Sequence, residues 1–556
     1  MSRYSHLITD ENRRWWTLGA MCFALFMIML DNTVVNVALP SIQNDLGASI
    51  SGLEWTVNGY TLSFAVLLAT GGRLGDIFGR RRMFLIGVVI FALSSATAGL
   101  APDETSLVVS RIVQGVGAAL MMPGTLSIIT DAFPAHERGK AMGTWAGVSA
   151  LALAIGPVLG GFLTESVTWR AIFYINIPVA IGAVAATLFA VRESRDTSVG
   201  RDVDYPGVAV LTIGLTALVL ALVEANAWGW GSAKIIGLLA LAVVALPAFV
   251  AVENRVKAPM VQFQLLSDRN FLGAIVVAMI ITFAMMGVFF FLALYMQDIL
   301  GYSPLEAGVR FLPSTLMIVA VAPVAGRLAD RFGPRWLIGG GLALVAASLF
   351  SFSGIAVDSS YLDLLPGFVL LGIGIAMTMS PMTSAAMNAV PVQKAGIASG
   401  VLSMFRMVGG SLGIAITGAI FQALVGSQLG TLLSGSGISS TQRGDIAEQL
   451  GSGSVTGALN GLDPVQAKQA SAAGSEAFVY ALGNAMTVSA VVALAGAVIG
   501  VVAIRAKSKR PTTVEAAEAV ANPGGSAVAA EETEEAALVA AEKAPEPVAA
   551  ATGRVA

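Results

Sequence analysis

An aspartate set in an apolar stretch, Leu30-Asp31-Asn32-Thr33-Val34-Val35-Asn36-Val37-Ala38-Leu39-Pro40, is the first residue suited to chemistry. A carboxylate withdrawn from water is costly, so it pairs with a cation or takes up a proton. Asp31 could therefore gain and lose a proton as its surroundings change, or attract a cation. The alternative is a structural acid held permanently by an arginine. A cation is at hand in Arg111-Ile112-Val113-Gln114-Gly115-Val116-Gly117-Ala118-Ala119. Arg111, Gln114, Gly115 and Ala118 share one helical face, whose small residues admit a close neighbour. An arginine does not titrate, but it biases a nearby acid. Arg406 is a second cation in an apolar run, on a stripe with Ser399, Ser403 and Gly410. It either lines a cavity or braces a helix pair. Glu165 and Glu224 fall near segment ends, where solvation explains them.

Three further patterns bear on mechanism. The stretch Gly72-Arg73-Leu74-Gly75-Asp76-Ile77-Phe78-Gly79-Arg80-Arg81 returns as Gly326-Arg327-Leu328-Ala329-Asp330-Arg331-Phe332-Gly333-Pro334-Arg335. Each copy puts an acid beside a helix end and arginines on a tight turn. Asp76 and Asp330 could hold helix ends together by ion pairs in one state and release them in another. Around Gly147 and Gly156-Pro157-Val158-Leu159-Gly160-Gly161, the residues Ala146, Ala150, Ala154, Pro157 and Gly161 fall on one face fit for close helix contact. Pro157 lacks a backbone donor and should kink that helix. Finally, Met121, Met122, Met377, Met379, Met382 and Met387 could form a wall that repacks around varied apolar ligands, although core packing accounts for them equally well. Asn32, Asn36, Gln114, Met122, Met379 and Arg406 are the candidate cavity residues.

The elements that must position these residues cross a membrane. The chain is 56% hydrophobic and 12% charged, with mean hydropathy +0.77, whereas soluble domains carry about 25% charged residues. Apolar runs of about 20 residues recur, each able to cross ~30 Å of hydrocarbon, and they are continuous rather than alternating, so helices are expected and not a barrel. Fourteen spans are expected, at roughly 15–39, 53–74, 83–101, 105–129, 139–163, 171–191, 205–225, 234–252, 270–294, 305–326, 336–356, 363–386, 396–421 and 476–504. The first lacks a cleavage site and reads as a retained span. Basic clusters at Arg13/Arg14, Arg80/Arg81/Arg82, Arg138/Lys140, Arg192/Arg195, Arg255/Lys257, Arg331/Arg335 and Lys507/Lys509/Arg510 then fall on one face, against Arg170, Lys234, Arg443 and Lys468 opposite. That face is expected to be cytoplasmic and to hold both termini.

The repeat marks two bundles with a site between them. The expected organisation is a cytoplasmic N-terminus at 1–14, six helices over 15–191, two additional helices over 205–252, and six more over 270–504. A long outer loop is expected at 426–475. Residues 506–556, with Glu531-Glu532-Thr533-Glu534-Glu535, form an Ala/Glu/Pro tail expected to be disordered and cytoplasmic. His6 and His136 are the chain's histidines and Cys22 its one cysteine, so neither a histidine metal cluster nor an internal disulfide is expected. No G-x-x-x-x-G-K-[ST] pattern appears, which argues against ATP hydrolysis. No enzyme site, cofactor, metal, nucleic-acid partner or periplasmic partner is indicated.

These segments together resemble the major facilitator superfamily, and more narrowly its fourteen-span drug/proton antiporter branch (EmrB/QacA type), over about residues 15 to 505. Gly72 to Arg82 resembles the inner gating motif and Arg111 to Ala119 the proton-coupling motif. Gly147 to Gly161 resembles the antiporter motif, and Leu30 to Pro40 a first-span motif of the branch. Trp169-Arg170-Ala171-Ile172-Phe173-Tyr174-Ile175-Asn176-Ile177-Pro178 is similar to a further family segment. The resemblance implies a multi-pass transporter of the plasma or inner membrane that exports small lipophilic compounds in exchange for protons, driven by the proton gradient. Some relatives carry cation-binding acids in later spans. The span at 396–421 has none, its charged residue being Arg406, which leaves neutral and anionic cargo open. Export of an endogenous lipid or secondary metabolite is the alternative, and a non-transporting membrane sensor stands behind both.

Overall fold

The computed structural model describes residues 10–134, 137–195, 204–256, 259, 261, 263–390, 395–434 and 463–505. A backbone in hydrocarbon must satisfy its own hydrogen bonds, and among the described residues the chain is built from helices and turns, without strands. The helices are α1 (Asp10–Leu46), α2 (Ile50–Phe78), α3 (Arg80–Gly99), α4 (Glu104–Ala132), α5 (Arg138–Ser166), α6 (Ala171–Tyr174), α7 (Asn176–Ala190), α8 (Tyr205–Trp228) and α9 (Ala233–Glu253). There follow α10 (Arg269–Leu294), α11 (Pro304–Arg310), α12 (Leu312–Phe332), α13 (Pro334–Ser353), α14 (Tyr361–Asn388), α15 (Ala395–Leu432) and α16 (Pro464–Ala503). Each expected span falls on one helix or a consecutive pair. Twelve stretches among the described residues are long and apolar enough to cross a membrane, or thirteen if Ile50–Leu68 and Thr70–Phe78 count as one bent span. The expected count of fourteen is therefore not reached by that measure.

Two spans break at a proline. Pro178 cannot donate to the carbonyl of Tyr174, and α6 ends there before α7 begins at Asn176. Pro313 likewise starts α12 just after α11. Pro157, by contrast, stands inside the continuous α5. The helix α10 closes in a π-turn over Tyr295–Ile299. At the other extreme, α15 and α16 run further than expected, through Leu432 and from Pro464. The expected loop at 426–475 is thus helical at both ends, because Val425 and Leu429 on one side and Ala470, Ala473 and Ala477 on the other are buried. Residues 435–462 and the tail 506–556 lie outside the described residues.

The end of the molecule carrying Arg14, Arg80 and Arg335 is termed the basic end, and the opposite end the far end. The N-terminal bundle is formed by α1–α7, in which α2 and α3 pack on α4 and α1 packs on α5 and α7. In the C-terminal bundle, α10 packs on α15, α12 and α13 on α14, and α13 on α16. The two meet along α2/α15, α5/α11 and α1/α10, and α8 lies against both α2 and α15. The apolar core is divided accordingly. One cluster joins Val34, Val37, Ile42, Leu53 and Val57 of the N-terminal bundle's far half to Phe289, Phe290, Phe291 and Phe311 of the other bundle. Another, with Tyr60, Phe64, Phe84, Phe91 and Phe133, has its buried residues in the basic half of the N-terminal bundle and is met from α15 by Met407. Hydrophobic contact between the bundles is continuous at the far end.

Candidate functional site

Asp31 and Arg111, expected to be costly singly, are brought together. Asp31 is 0% exposed and Arg111 1%. Arg111 Nη1 donates to Asp31 Oδ2 at 2.5 Å and to Gln114 Oε1 at 2.7 Å. Gln114 Nε2 donates in turn to Asp31 Oδ1 at 2.9 Å, and Asn176 Nδ2 to the same oxygen at 3.3 Å. Asn176 also reaches Ser95 Oγ at 3.0 Å, and Arg111 Nε donates to the carbonyl of Thr56 at 3.0 Å. The guanidinium carbon lies 4.3 Å from the Tyr60 ring centre and 5.7 Å from that of Phe173, a cation–π sandwich in a desolvated site. One ion pair thus ties α1 to α4, with α2, α3, α6 and α7 supplying the second layer. Both charges are met by donors or acceptors, as burial in hydrocarbon demands. Asn176, Tyr60, Ser95 and the Thr56 carbonyl were not singled out from the sequence. Asn176 left a trace, a polar residue in an apolar segment, but a backbone carbonyl leaves none.

The other candidates in α1 do not bond to Asp31 or Arg111 among the described contacts. Asn32 donates to the Ile28 carbonyl at 2.8 Å and Asn36 to that of Asn32 at 3.3 Å. Met122 packs with the N-terminal bundle's basic-half cluster and Met379 with the cluster shared across the bundles. Arg406 lies in α15. Its carbonyl accepts from Thr282 Oγ1 at 2.7 Å, and its own Nε is buried without a partner. A depression of about 800 Å³ at the far end is lined by Asp358, Gln428, Lys468 and Tyr480, and includes none of the candidates.

The glycines of α5 serve two neighbours. A Cβ at Gly156 would strike Thr33, and one at Gly160 would lie 2.7 Å from the Val34 carbonyl, so both admit α1 just beyond Asp31. Gly161 instead faces the C-terminal bundle, where a Cβ would lie 2.6 Å from Leu305 Cα. Gly308 answers it from α11, packing on the Pro157 carbonyl. Gly147, in the basic half, meets nothing within 4 Å; the expected contact face begins further along the helix. The side chains of Ala146, Ala150 and Ala154 lie outside the described residues. Polar contacts between the bundles accompany the tight glycines, with Leu305 N donating to Glu165 Oε2 at 3.0 Å and Gln297 Nε2 to the Val37 carbonyl at 2.9 Å. Glu165 therefore has a partner beyond solvent.

At the basic end the two repeats share a backbone geometry. Gly79 has φ +112° and Gly333 φ +86°, each donating back to its helix, to Gly75 and Ala329 respectively. Gly72 packs on Pro123. Arg80 pairs with Asp76 at 2.9 Å and with Asp131 at 2.6 Å, all in one bundle. Glu193, unforeseen, accepts from the backbone of Arg81 and Arg82 at 3.1 and 3.2 Å, while Arg81 Nη2 reaches the Leu188 carbonyl. A carboxylate at a helix N-terminus is well placed against the helix dipole. Arg331 stacks beside Phe332, and the Asp330 side chain lies outside the described residues. The described contacts of Asp76 thus stay within its own bundle.

Comparison with known proteins fits this architecture. The family model described as Major Facilitator Superfamily matches residues 21–414. The chain is 38% identical over 416 residues to the tetracenomycin C resistance and export protein of Streptomyces glaucescens, covering 75% of this chain and 77% of that one. It is 40% identical over 415 residues to a puromycin resistance protein of Streptomyces alboniger, covering 74% and 82%. Against a probable actinorhodin transporter of Streptomyces coelicolor the identity is 35% over 428 residues, covering 75% and 74%. Its fold is similar to the crystal structure of a bacterial homologue of the human lysosomal transporter Spinster, with TM-score 0.59 at 17% identity, covering 89% of this chain and 99% of that one. A helical bundle in two halves, a buried charge network in the first half and these matches along most of the chain make it a membrane transporter of the Major Facilitator Superfamily.

Proposed function

We propose that this transporter exports small lipophilic compounds in exchange for protons by alternating access. The observation that carries the reading is the buried Asp31–Arg111 pair, closed by Gln114 and Asn176. A proton arriving at Asp31 cancels its charge, frees Arg111 and Gln114 to seek other acceptors, and so couples protonation to the packing of α1 against α4. The far-end contacts of α5 with α11 and α1 with α10 support a carrier closed there and engaged from the basic end, which the positive-inside rule makes cytoplasmic. Relatives named for tetracenomycin C resistance and export, puromycin resistance and probable actinorhodin transport support the export of small organic compounds of the antibiotic type.

The test uses everted membrane vesicles with an inside-acid gradient followed by a quenched dye. Cationic, neutral and anionic lipophiles are added to vesicles holding the wild-type protein or Asp31→Asn. Dissipation of the gradient by some compounds in wild type, and its loss in the variant, is the expected outcome. Equal dissipation by the variant would remove Asp31 from the coupling, and no response to any compound would remove proton-coupled drug export.

A further inference from the structure

A second acid is buried where the bundles meet. Glu54, one turn inside the far end of α2, is 0% exposed. Gln422 of α15 donates to its Oε1 at 3.3 Å, a long bond, and Oε2 is buried with no hydrogen-bond partner. Space for the carboxylate is made by Gly418 of α15, where a Cβ would collide with it. One turn further in, Ser411 donates to Asn58 Oδ1 at 2.8 Å across the same seam. The inserted helix α8 lies over the seam and bonds to both sides. Its Glu224 accepts from the Trp55 indole at 3.3 Å, and its Asn226 donates to the Ala419 carbonyl at 2.8 Å.

The charges around Glu54 do not neutralise it. Glu224 faces it from α8, and Glu104 of α4 accepts from Ser49 N at the mouth of α2. The α4 cation, Arg111, is committed to Asp31 of α1 and to Thr56. The α3 arginines, Arg80 to Arg82, lie at the basic end, and Asp45 of α1 is held by Arg170. On α15 the charged residue is Arg406, twelve residues from Gly418 and hence roughly 18 Å along the helix. An ionised carboxylate buried with one long amide bond and no cation is strongly disfavoured, whereas a carboxylic acid tolerates the same place.

We propose that Glu54 is a proton-operated latch: protonated, it lets α2 and α15 close at the far end, and ionised, it holds them apart. The proton passes from far-side water to Glu54 Oε2 as the seam closes and returns to that water when it opens, so none crosses the membrane by this route. The inference rests on the alternating-access reading above but not on coupling through Asp31.

In a Cys22→Ser background, spin labels at Asn44→Cys on the N-terminal bundle and Ser427→Cys on α15 report the seam by electron–electron distance measurement in lipid nanodiscs. The wild-type carrier is expected to give a short distance at acid pH and a growing long-distance population as pH rises. Glu54→Gln, which keeps shape and removes the charge, should lose that population at every pH. Gly418→Ala, which displaces the carboxylate, should favour the long distance even at acid pH, and gel filtration confirms that each variant is folded. A Glu54→Gln response matching wild type, or a wild-type distance indifferent to pH, overturns the latch. A pH-driven distance change that survives Asp31→Asn, in a carrier that dissipates no gradient with any compound, would sink the export reading and leave the latch standing.

Discussion

At the scale of single residues, the Asp31–Arg111 pair separates stability from function. Removing one member of a buried pair strands the other, at a cost of about 3–5 kcal/mol. Asp31→Ala and Arg111→Gln should therefore each lower the thermal unfolding midpoint in detergent markedly. The double variant should recover much of the loss, since the two effects share one interaction. It should not recover coupled transport. Additive losses in stability would mean that Gln114, Asn176 and the rings of Tyr60 and Phe173 hold each charge independently. This pair is legible in the sequence because two opposite charges stand in apolar runs, where each demands an explanation, and Gln114 follows one helical turn from Arg111. Asn176 and the Thr56 carbonyl are not, because their proximity depends on how α2, α6 and α7 dock. Glu54 is not marked by the sequence, where it stands at the start of the expected 53–74 span. What distinguishes it is the absence of a compensating cation, which becomes visible once α8 and α15 close over it.

At the scale of elements, glycine decides where helices turn and where they touch. Gly79 combines a left-handed backbone at φ +112° with the Glu193 carboxylate 2.6 Å from where a Cβ would stand. Gly79→Ala should cost about 1–3 kcal/mol in backbone strain alone and displace the carboxylate that caps α3. Gly75→Ala, whose Cβ would find its nearest neighbour at 3.9 Å, is the matched control and should leave thermal stability almost unchanged. Equal effects from the two would show that the turn tolerates a side chain. The repeat of this turn was legible from its spacing, and Gly333 bears it out with its own positive φ. Glu193 was not legible, because it lies more than a hundred residues along the chain and nothing local marks it as the cap. The span boundaries failed in a related way. The expected loop at 426–475 reads as a loop from its Gly, Ser, Gln and Asn content, yet Val425 and Leu429 continue the apolar stripe of α15 and keep its first residues helical.

At the scale of the whole molecule, the two bundles are joined most intimately at one end. There the apolar core runs across the interface and the α5 glycines let α11 in. Gln297, on the π-turn that ends α10, reaches α1, and backbone irregularities of that kind often accompany function. A carrier that alternates must break these contacts in every cycle. Two bundles and a basic face could be read from the sequence, but which end the bundles close could not, because the glycines on one face of α5 do not say which neighbour each will meet. Cysteines at Glu165 and Leu305, replacing the pair that now joins α5 to α11, test the consequence in a Cys22→Ser protein. A short thiol-specific cross-linker with a cleavable disulfide should join them readily, arrest gradient dissipation by exported compounds in vesicles, and release it when a reductant is added. Either cysteine alone, treated identically, should transport as its untreated counterpart does. Full transport by the cross-linked carrier would mean that the α5–α11 seam is a fixed brace, and the moving seam would then have to be sought along α2 and α15.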